Sequence, residues 1–340
     1  MRTYCTLFDK NYLYQGVALY ESLKRFAGDF TLHALCMDSI SYRMMMKMKS
    51  GSLVPVNVEE LITPELSAAR NRTTHGQFCW VCQPFICGFV LDNHDSDMVT
   101  YLEADSLFFS DPEVLFRELG DGAVSLVPHK FSPGFDNTIE AGRFCVQFNA
   151  FRNNGKARAV LDHWKSCCLE YTAEKPFVYP GQTSLNDWPE RFDGAKILEH
   201  LGAGVAPWNI QHVTFELVDS VPHVNGVPII FYHYHQYGRY ENGAHELGYY
   251  PLSTQIVTSI YGTYVRAIRA AEEKVRVLDP DFGYRRTYKN NKSFSEILKS
   301  ATKQDLQEYI RILKRKIRGT YNVFPDEYFF KDLKREAGNA

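Results

Sequence analysis

The sequence predicts an α/β fold, on three observations. Residues 2–8 (Arg-Thr-Tyr-Cys-Thr-Leu-Phe) form a short apolar run of strand type, residues 12–26 place apolar side chains at helical spacings of three and four, and residues 30–37 return to a strand run. Strand, helix and strand in that order make a βαβ opening, which closes by a right-handed crossover onto a parallel sheet. The 340 residues, 45% of them hydrophobic and 14% aromatic with a net charge of −2, are enough for a large core and exclude disordered and fibrous classes.

The alternation continues. A helix is expected near 41–49, a short apolar segment at Leu53–Val58, a helix at 80–92 and a strand at 98–102 that ends in Glu103-Ala104-Asp105. Further strands are expected at Ala123–Val127 and Phe144–Phe148, with a helix at 154–172. Between 175 and 252 the chain is rich in Pro, Gly, aromatics and His, with short strands such as Pro228–Tyr234, the composition of a binding face built of loops on a rigid sheet. Two helices follow, Ser253–Glu273 and Ser293–Arg318, then an aromatic tail at Tyr321–Leu333.

No run approaches the roughly 18 apolar residues that span a bilayer, and Met1-Arg2-Thr3-Tyr4 leads directly into a strand, so a cytoplasmic protein is expected. Eight cysteines, mostly within apolar runs, read as reduced core thiols; Cys79-Trp-Val-Cys82 has metal-like spacing but no second pair or nearby His to complete a zinc site. Charge is uneven: residues 289–340 carry twelve Lys/Arg against seven Asp/Glu, a net +5, which leaves −7 on the first 288.

The strongest motif is Val99-Thr-Tyr-Leu-Glu103-Ala104-Asp105-Ser106-Leu-Phe-Phe-Ser-Asp-Pro112. A hydrophobic strand ending in two carboxylates puts acid groups at the carboxyl edge of a parallel sheet, where open α/β folds bind ligands. Such a pair suits a hard divalent cation, which in turn neutralises a diphosphate; the alternative is a solvated strand end. His233 and His235, in Phe-Tyr-His233-Tyr-His235-Gln-Tyr-Gly238, are brought to one face by strand alternation and either could reach the cation. Asp9, at the end of the first strand, is placed to accept hydrogen bonds from a base or ribose. Gly202-Ala-Gly204-Val-Ala-Pro-Trp208-Asn reads either as a backbone approaching a diphosphate with Trp208 as a sugar platform, or as a turn before a packed Trp.

The Tyr-Leu-Glu-Ala-Asp-Ser segment resembles the Asp-x-Asp motif of GT-A fold glycosyltransferases, especially family 8, the glycogenin-like and bacterial lipopolysaccharide glycosyltransferases, and the resemblance extends over roughly residues 1–240. It implies a Rossmann-like nucleotide-diphospho-sugar transferase with a mixed sheet flanked by helices: a catalytic domain at 1–250, with a nucleotide-binding half at 1–120 and a donor- and acceptor-binding half at 121–250, and a helical extension at 251–340. It implies Mn2+ or Mg2+ on Glu103, Asp105 and His233, with His235 the alternate ligand and Ala104 in the nucleotide site. Thr6, Phe8, Asp9 and Tyr12 then meet the nucleoside, Arg70 or Arg72 the sugar or phosphate, and Gly204 and Trp208 the diphosphate and sugar.

Gln147-Phe-Asn149-Ala-Phe resembles the family's Phe-Asn-Ala/Ser-Gly segment, and Pro180-Gly181-Gln182-Thr-Ser-Leu-Asn186 its Asp-Gln-x-x-Leu-Asn, which makes Asn149 and Gln182 sugar-orienting residues. Two departures stand out: Glu103 replaces the first Asp, and Gly181 replaces the Asp that binds a donor hydroxyl. Asp187 or Glu140 then substitutes, or the donor differs, or activity is impaired. The resemblance implies a nucleotide-sugar donor, a UDP-sugar first, and a glycan or lipid-linked glycan acceptor in bacterial surface polysaccharide or lipopolysaccharide synthesis. A non-catalytic nucleotide-sugar-binding or scaffold protein stays open because of Gly181; a sugar-1-phosphate nucleotidyltransferase is disfavoured because Phe8-Asp-Lys-Asn-Tyr12 has no glycine. The basic Ser293–Arg318 helix either lies on the inner face of the cell membrane or packs on the core with a solvated basic face. No nucleic-acid recognition motif occurs.

Overall fold

The computed structural model describes residues 1–172, 174, 179–283, 287–288 and 303–330. Its centre is an eight-stranded mixed sheet flanked by helices, the α/β class that the sequence predicts. Strands β1 (Arg2–Phe8), β2 (Phe30–Cys36), β3 (Leu53–Asn57) and β4 (Met98–Leu102) run parallel in the spatial order β3-β2-β1-β4. All four are apolar on both faces because helices cover both faces, as a buried parallel sheet requires. A short strand β5 (Ser106–Phe108) leaves this sheet; β6 (Val124–Pro128), β7 (Phe144–Cys145), β8 (Phe148–Arg152) and β9 (Ala195–Ile197) complete it, with β8 antiparallel to both β4 and β6.

Helix α1 (Leu13–Phe26) covers one face, fully buried along Leu13, Val17, Leu19 and Leu23. Its Gly16 lets the Phe8 ring lie against the backbone: a Cβ there would come within 2.3 Å of the ring. After α2 (Ser39–Met48) and α3 (Pro64–Arg72), helix α4 (His75–Asn93) covers the opposite face together with α7 (Gly155–Cys168), which follows the short α5 (Glu113–Leu119) and α6 (Thr138–Ala141). Helix α4 starts at His75, five residues before the expected Trp80, because Thr74 and Gln77 form a reciprocal capping box. The expected strand at 144–148 is broken by a turn at Val146-Gln147, so that β7 pairs with β6 and β8 with β4.

Two later segments complete the core. The helical run from Thr254 to Leu278, with a π turn at Val257–Tyr261, extends past the expected Glu273 and packs Tyr264, Val265 and Ile268 into the cluster that α1 also enters. Tyr264 stacks on Tyr234 with ring centroids 3.7 Å apart, which fixes the chain just after His233. A helix at Lys303–Ile317 is held by Arg315, whose guanidinium donates to both carboxylate oxygens of buried Glu246 at 2.9 and 3.1 Å. The first part of the expected helix, with Phe294, Ile297 and Leu298, and residues 331–333 of the tail lie outside the described residues.

Two buried histidines make the fold acid-sensitive. Burial, then the neighbouring His94, lowers His33 to about 4, and burial, only partly opposed by Asp326, lowers His245 to about 4. The unfolded chain takes these protons near pH 6.5 and the folded chain does not, so their contribution is complete above pH 6.5 and is lost as pH falls from there towards 4. Urea unfolding between pH 7.5 and 4.5 is expected to lose on the order of 2–3 kcal/mol per histidine, and His33→Leu is expected to flatten the slope.

Candidate active site

The carboxyl end of β4 delivers Glu103 and Asp105 to the floor of a cavity of about 560 Å3. The chain then turns into β5, which pairs antiparallel with the strand Phe231–His233, so that Ser106 faces His233. Tyr234 N donates to the Asp105 carbonyl at 2.8 Å and closes the ribbon. That register sets the His233 Nε2 atom 3.1 Å from Asp105 Oδ1. Glu103 is held from the other side, accepting from Gln83 Nε2 at 2.8 Å and from the Tyr101 hydroxyl at 3.4 Å.

Burial and mutual contact shift the titrating groups on this floor. Burial, and then the adjacent Asp105 carboxylate, push Glu103 up to about 8. Burial works against a charged His233, yet the Asp105 carboxylate raises it well above its ordinary range. Two carboxyl groups and one imidazole in a poorly solvated pocket are side-chain types that can ligate a divalent cation. Among the described residues no three His, Cys, Asp or Glu side chains stand together as a group that could hold a metal ion.

At the end next to β1, Phe8, Asp9 and Tyr12 line the cavity and Ala104 joins them from the floor. Asp9 caps the turn after β1, accepting from Asn11 N at 2.9 Å and Tyr12 N at 3.3 Å, and meets His75 Nε2 at 3.3 Å. Its burial opposes ionisation, but His75 and Asn11 hold its carboxyl below the ordinary value. Trp208 and His235 line the far side, with Trp208 Nε1 donating to the His129 carbonyl at 2.9 Å and its ring lying edge-on to His233. Gln182 also lines the cavity, its Nε2 donating to the Ala141 carbonyl at 2.6 Å.

Other sequence-predicted residues fall elsewhere. Arg72 donates to the Leu169 carbonyl and Arg70 pairs with Glu59 at 3.0 Å, because the end of α3 faces α7 and the 58–61 turn and not the cavity. Asp187 is half-exposed and pairs with Arg191 one turn later on the same helical segment. Thr6 and Asn149 are fully buried in β1 and β8, and Asn149 Nδ2 donates to the Ser125 carbonyl at 3.2 Å. Gly204 does not line the cavity; it sits with φ +69° against the Gln147 side chain. Glu140 is exposed.

The structure gives Gly181 a physical reason. A Cβ there would meet Cys168 Sγ at 2.5 Å and Tyr171 at 3.2 Å, because the turn after Tyr179 packs directly on α7. No carboxylate fits at this position, and the neighbouring cavity wall is neutral: Asn137, Ala141, Tyr171, Tyr179 and Gln182. Sequence reasoning did not single out His75, Trp80, His129, Phe131 or Tyr250 as liners. For His75 and Trp80 the signal was present in Thr74-x-x-Gln77, which starts α4 early enough to carry them along the cavity.

No family model matches the chain. Two proteins of Bacillus subtilis strain 168 are similar to it: the uncharacterized protein YfnD, 26% identical over 287 residues with 82% of this chain and 92% of that protein covered, and the uncharacterized protein YfnF, 29% identical over 245 residues with 69% and 81% covered. Among solved structures, it is similar to the galactosyltransferase LgtC in complex with donor and acceptor sugar analogs, at 11% identity and a TM-score of 0.49, over 79% of this chain and 95% of that one. Mouse xyloside xylosyltransferase 1 is similar at 10% identity and a TM-score of 0.43, over 60% and 87%. The glycosyltransferase GlyE of Streptococcus pneumoniae TIGR4 is similar at 15% identity and a TM-score of 0.39, over 58% of this chain and 45% of GlyE, so the chain spans less than half of that protein. At these scores the likeness assigns neither fold nor activity.

Gly181→Asp tests the packing argument. It is expected to destabilise the protein by about 1–3 kcal/mol, the usual cost of overpacking, seen as a lower thermal midpoint, and to add no acidic group to the cavity.

Proposed function

We propose that the chain is a metal-dependent glycosyltransferase that moves a sugar from a nucleotide-diphosphate donor, a UDP-sugar first among them, to a glycan acceptor in the synthesis of a bacterial surface polysaccharide. The observation that carries this reading is the meeting of Glu103, Asp105 and His233 on the floor of a cavity closed at one end by Phe8, Asp9 and Tyr12. The volume of about 560 Å3 lies within the range of roughly 300–1,000 Å3 in which small-molecule sites fall.

Asp105, His233 and Glu103 would hold Mn2+ or Mg2+, which when bound supplies charge neutralisation to the departing diphosphate. The chain's own residues do the rest. Asp9 accepts from the base or ribose, Tyr12 and Phe8 wall the nucleoside, and Trp208, packed among His129, His233 and His235, stiffens the opposite wall. Gln182 presents an amide, with no carboxylate beside it, so donor hydroxyls are recognised by neutral groups. This favours a donor sugar different from those that need the usual Asp, over a loss of activity. The segment assignment 1–250 for catalysis, in halves 1–120 and 121–250, with 251–340 as a helical extension, belongs to the same reading.

Calorimetric titration of UDP, GDP and CDP with and without Mn2+ tests the reading. Metal-dependent binding of one nucleotide, weakened at least 100-fold by Asp105→Ala, is expected; absence of binding to any nucleotide contradicts it.

The helix Lys303–Ile317 supports a peripheral position on the inner face of the cell membrane, next to a lipid-linked acceptor. Leu306, Ile310, Leu313 and Ile317 are 51%, 42%, 45% and 77% exposed, and their spacing of four, three and four sets them on one narrow face. Ile312 and Arg315, buried against the body, point the opposite way. Exposed Lys314 and Lys316 flank the apolar stripe on its two sides and would complement anionic lipid. No helix among the described residues is long and apolar enough to cross a membrane. Co-sedimentation with phosphatidylglycerol vesicles, absent with neutral phosphatidylcholine vesicles and abolished by Ile310→Glu with Leu313→Glu, is the expected result; equal sedimentation of the double variant rejects the contact.

A further inference from the structure

We propose that Gln147 is a positioning residue that fixes the tautomer and orientation of His233, and that Gly204 is the position that seats it. The inference rests on the metal-binding reading above.

Gln147 occupies the turn between β7 and β8 and is fully buried. The register of β8 on β4 pairs Phe148 with Leu102, and the next pair along the ladder direction is Gln147 with Glu103. Gln147 therefore arrives at the same carboxyl edge as the acidic pair. Its Oε1 lies 3.0 Å from His233 Nδ1. An amide oxygen only accepts, so Nδ1 must carry the proton and donate. With Nδ1 so committed, Nε2 is the nitrogen left to face Asp105 at 3.1 Å, the side on which a cation shared with that carboxylate would be ligated. Cys145 Sγ lies 3.8 Å from the same Nδ1 and is a far weaker acceptor.

The amide of Gln147 meets His233 through Oε1, while its Nε2 has no hydrogen-bond partner among the described residues. Gly204 leaves room for it. A Cβ at 204 would stand 2.4 Å from Gln147 Nε2 and 2.6 Å from Val127 Cγ1, and the backbone there has φ +69°. Asn209 Nδ2 donates to the Gly204 carbonyl at 2.9 Å and to the His129 carbonyl at 2.9 Å, which ties this glycine to the strand that ends in the cavity wall. The sequence signal Gly-Ala-Gly-Val-Ala-Pro-Trp-Asn thus serves the site through a neighbouring side chain, in place of a direct approach of its backbone to a diphosphate.

The test measures Mn2+ affinity of the nucleotide-free protein, by electron paramagnetic resonance of the free ion, for wild type, Asp105→Ala, Gln147→Leu, Gln147→Glu and Gly204→Ala. Loss of an outer partner of a metal-bound histidine lowers affinity by about 10–100-fold. Gln147→Leu and Gly204→Ala are expected to show that loss, while Gln147→Glu, which keeps an acceptor, retains affinity within about threefold of wild type. A second readout needs no variant to fold: 15N shifts of His233 in the wild type with diamagnetic Zn2+ are expected to show a protonated Nδ1 and a metal-bound Nε2. Wild-type affinity in Gln147→Leu together with its loss in Asp105→Ala overturns the role of Gln147 and leaves the metal site standing. Metal on Nδ1 overturns it as well. Absence of Mn2+ and Zn2+ binding to the wild type overturns the metal reading and this inference together.

Discussion

Two carboxylates and an imidazole share a poorly solvated cavity floor, and the rest of the architecture is arranged so that they must. Glu103 and Asp105 leave β4 at the carboxyl edge of the parallel strands, where no further ladder bond uses the chain and side chains can project. Burial first, and then repulsion from the neighbouring Asp105 carboxylate, push Glu103 up to about 8. The imidazole of His233 relieves part of that repulsion. In the reading proposed above, a dication would relieve more.

That path depends on distant segments. His233 reaches Asp105 because Phe231–His233 pairs with β5, and this pairing is held by Tyr234 stacked on Tyr264 of the helix ending at Leu278. The same helix shares the α1 side of the core, so it braces a site that joins the end of β4 to the Phe231–His233 strand. At the other end of the cavity the wall is neutral and aromatic, since the turn at Gly181 is packed too tightly on α7 to carry a side chain. The cavity is therefore acidic where a diphosphate with its cation would sit and uncharged where a sugar would sit.

Much of this was legible in the sequence, and the limits have physical causes. The βαβ opening follows from apolar periodicity, a local property, and the acidic pair follows from its place at a strand end. Arg72 and Asp187 looked available because loop and helix-end charges give no local sign of their partners; Arg72 turns to the Leu169 carbonyl and Asp187 to Arg191. Gln147 and His233 are 86 positions apart and Gln83 and Glu103 are 20 apart, so no spacing rule joins them. Gly181 was visible as a departure from pattern, but its cause, the Cys168 and Tyr171 side chains beneath it, is a packing fact that only the fold supplies.

The central claim is that Glu103, Asp105 and His233 together hold a divalent cation beneath a nucleoside diphosphate. A crystal structure of the protein with Mn2+ and UDP, with data collected at a wavelength where manganese scatters anomalously, tests it most directly. An anomalous peak within ligand distance of Asp105 and His233, with the diphosphate on it and the base beside Asp9, is the predicted result. A peak elsewhere, or nucleotide bound with no metal at these residues, would contradict the account.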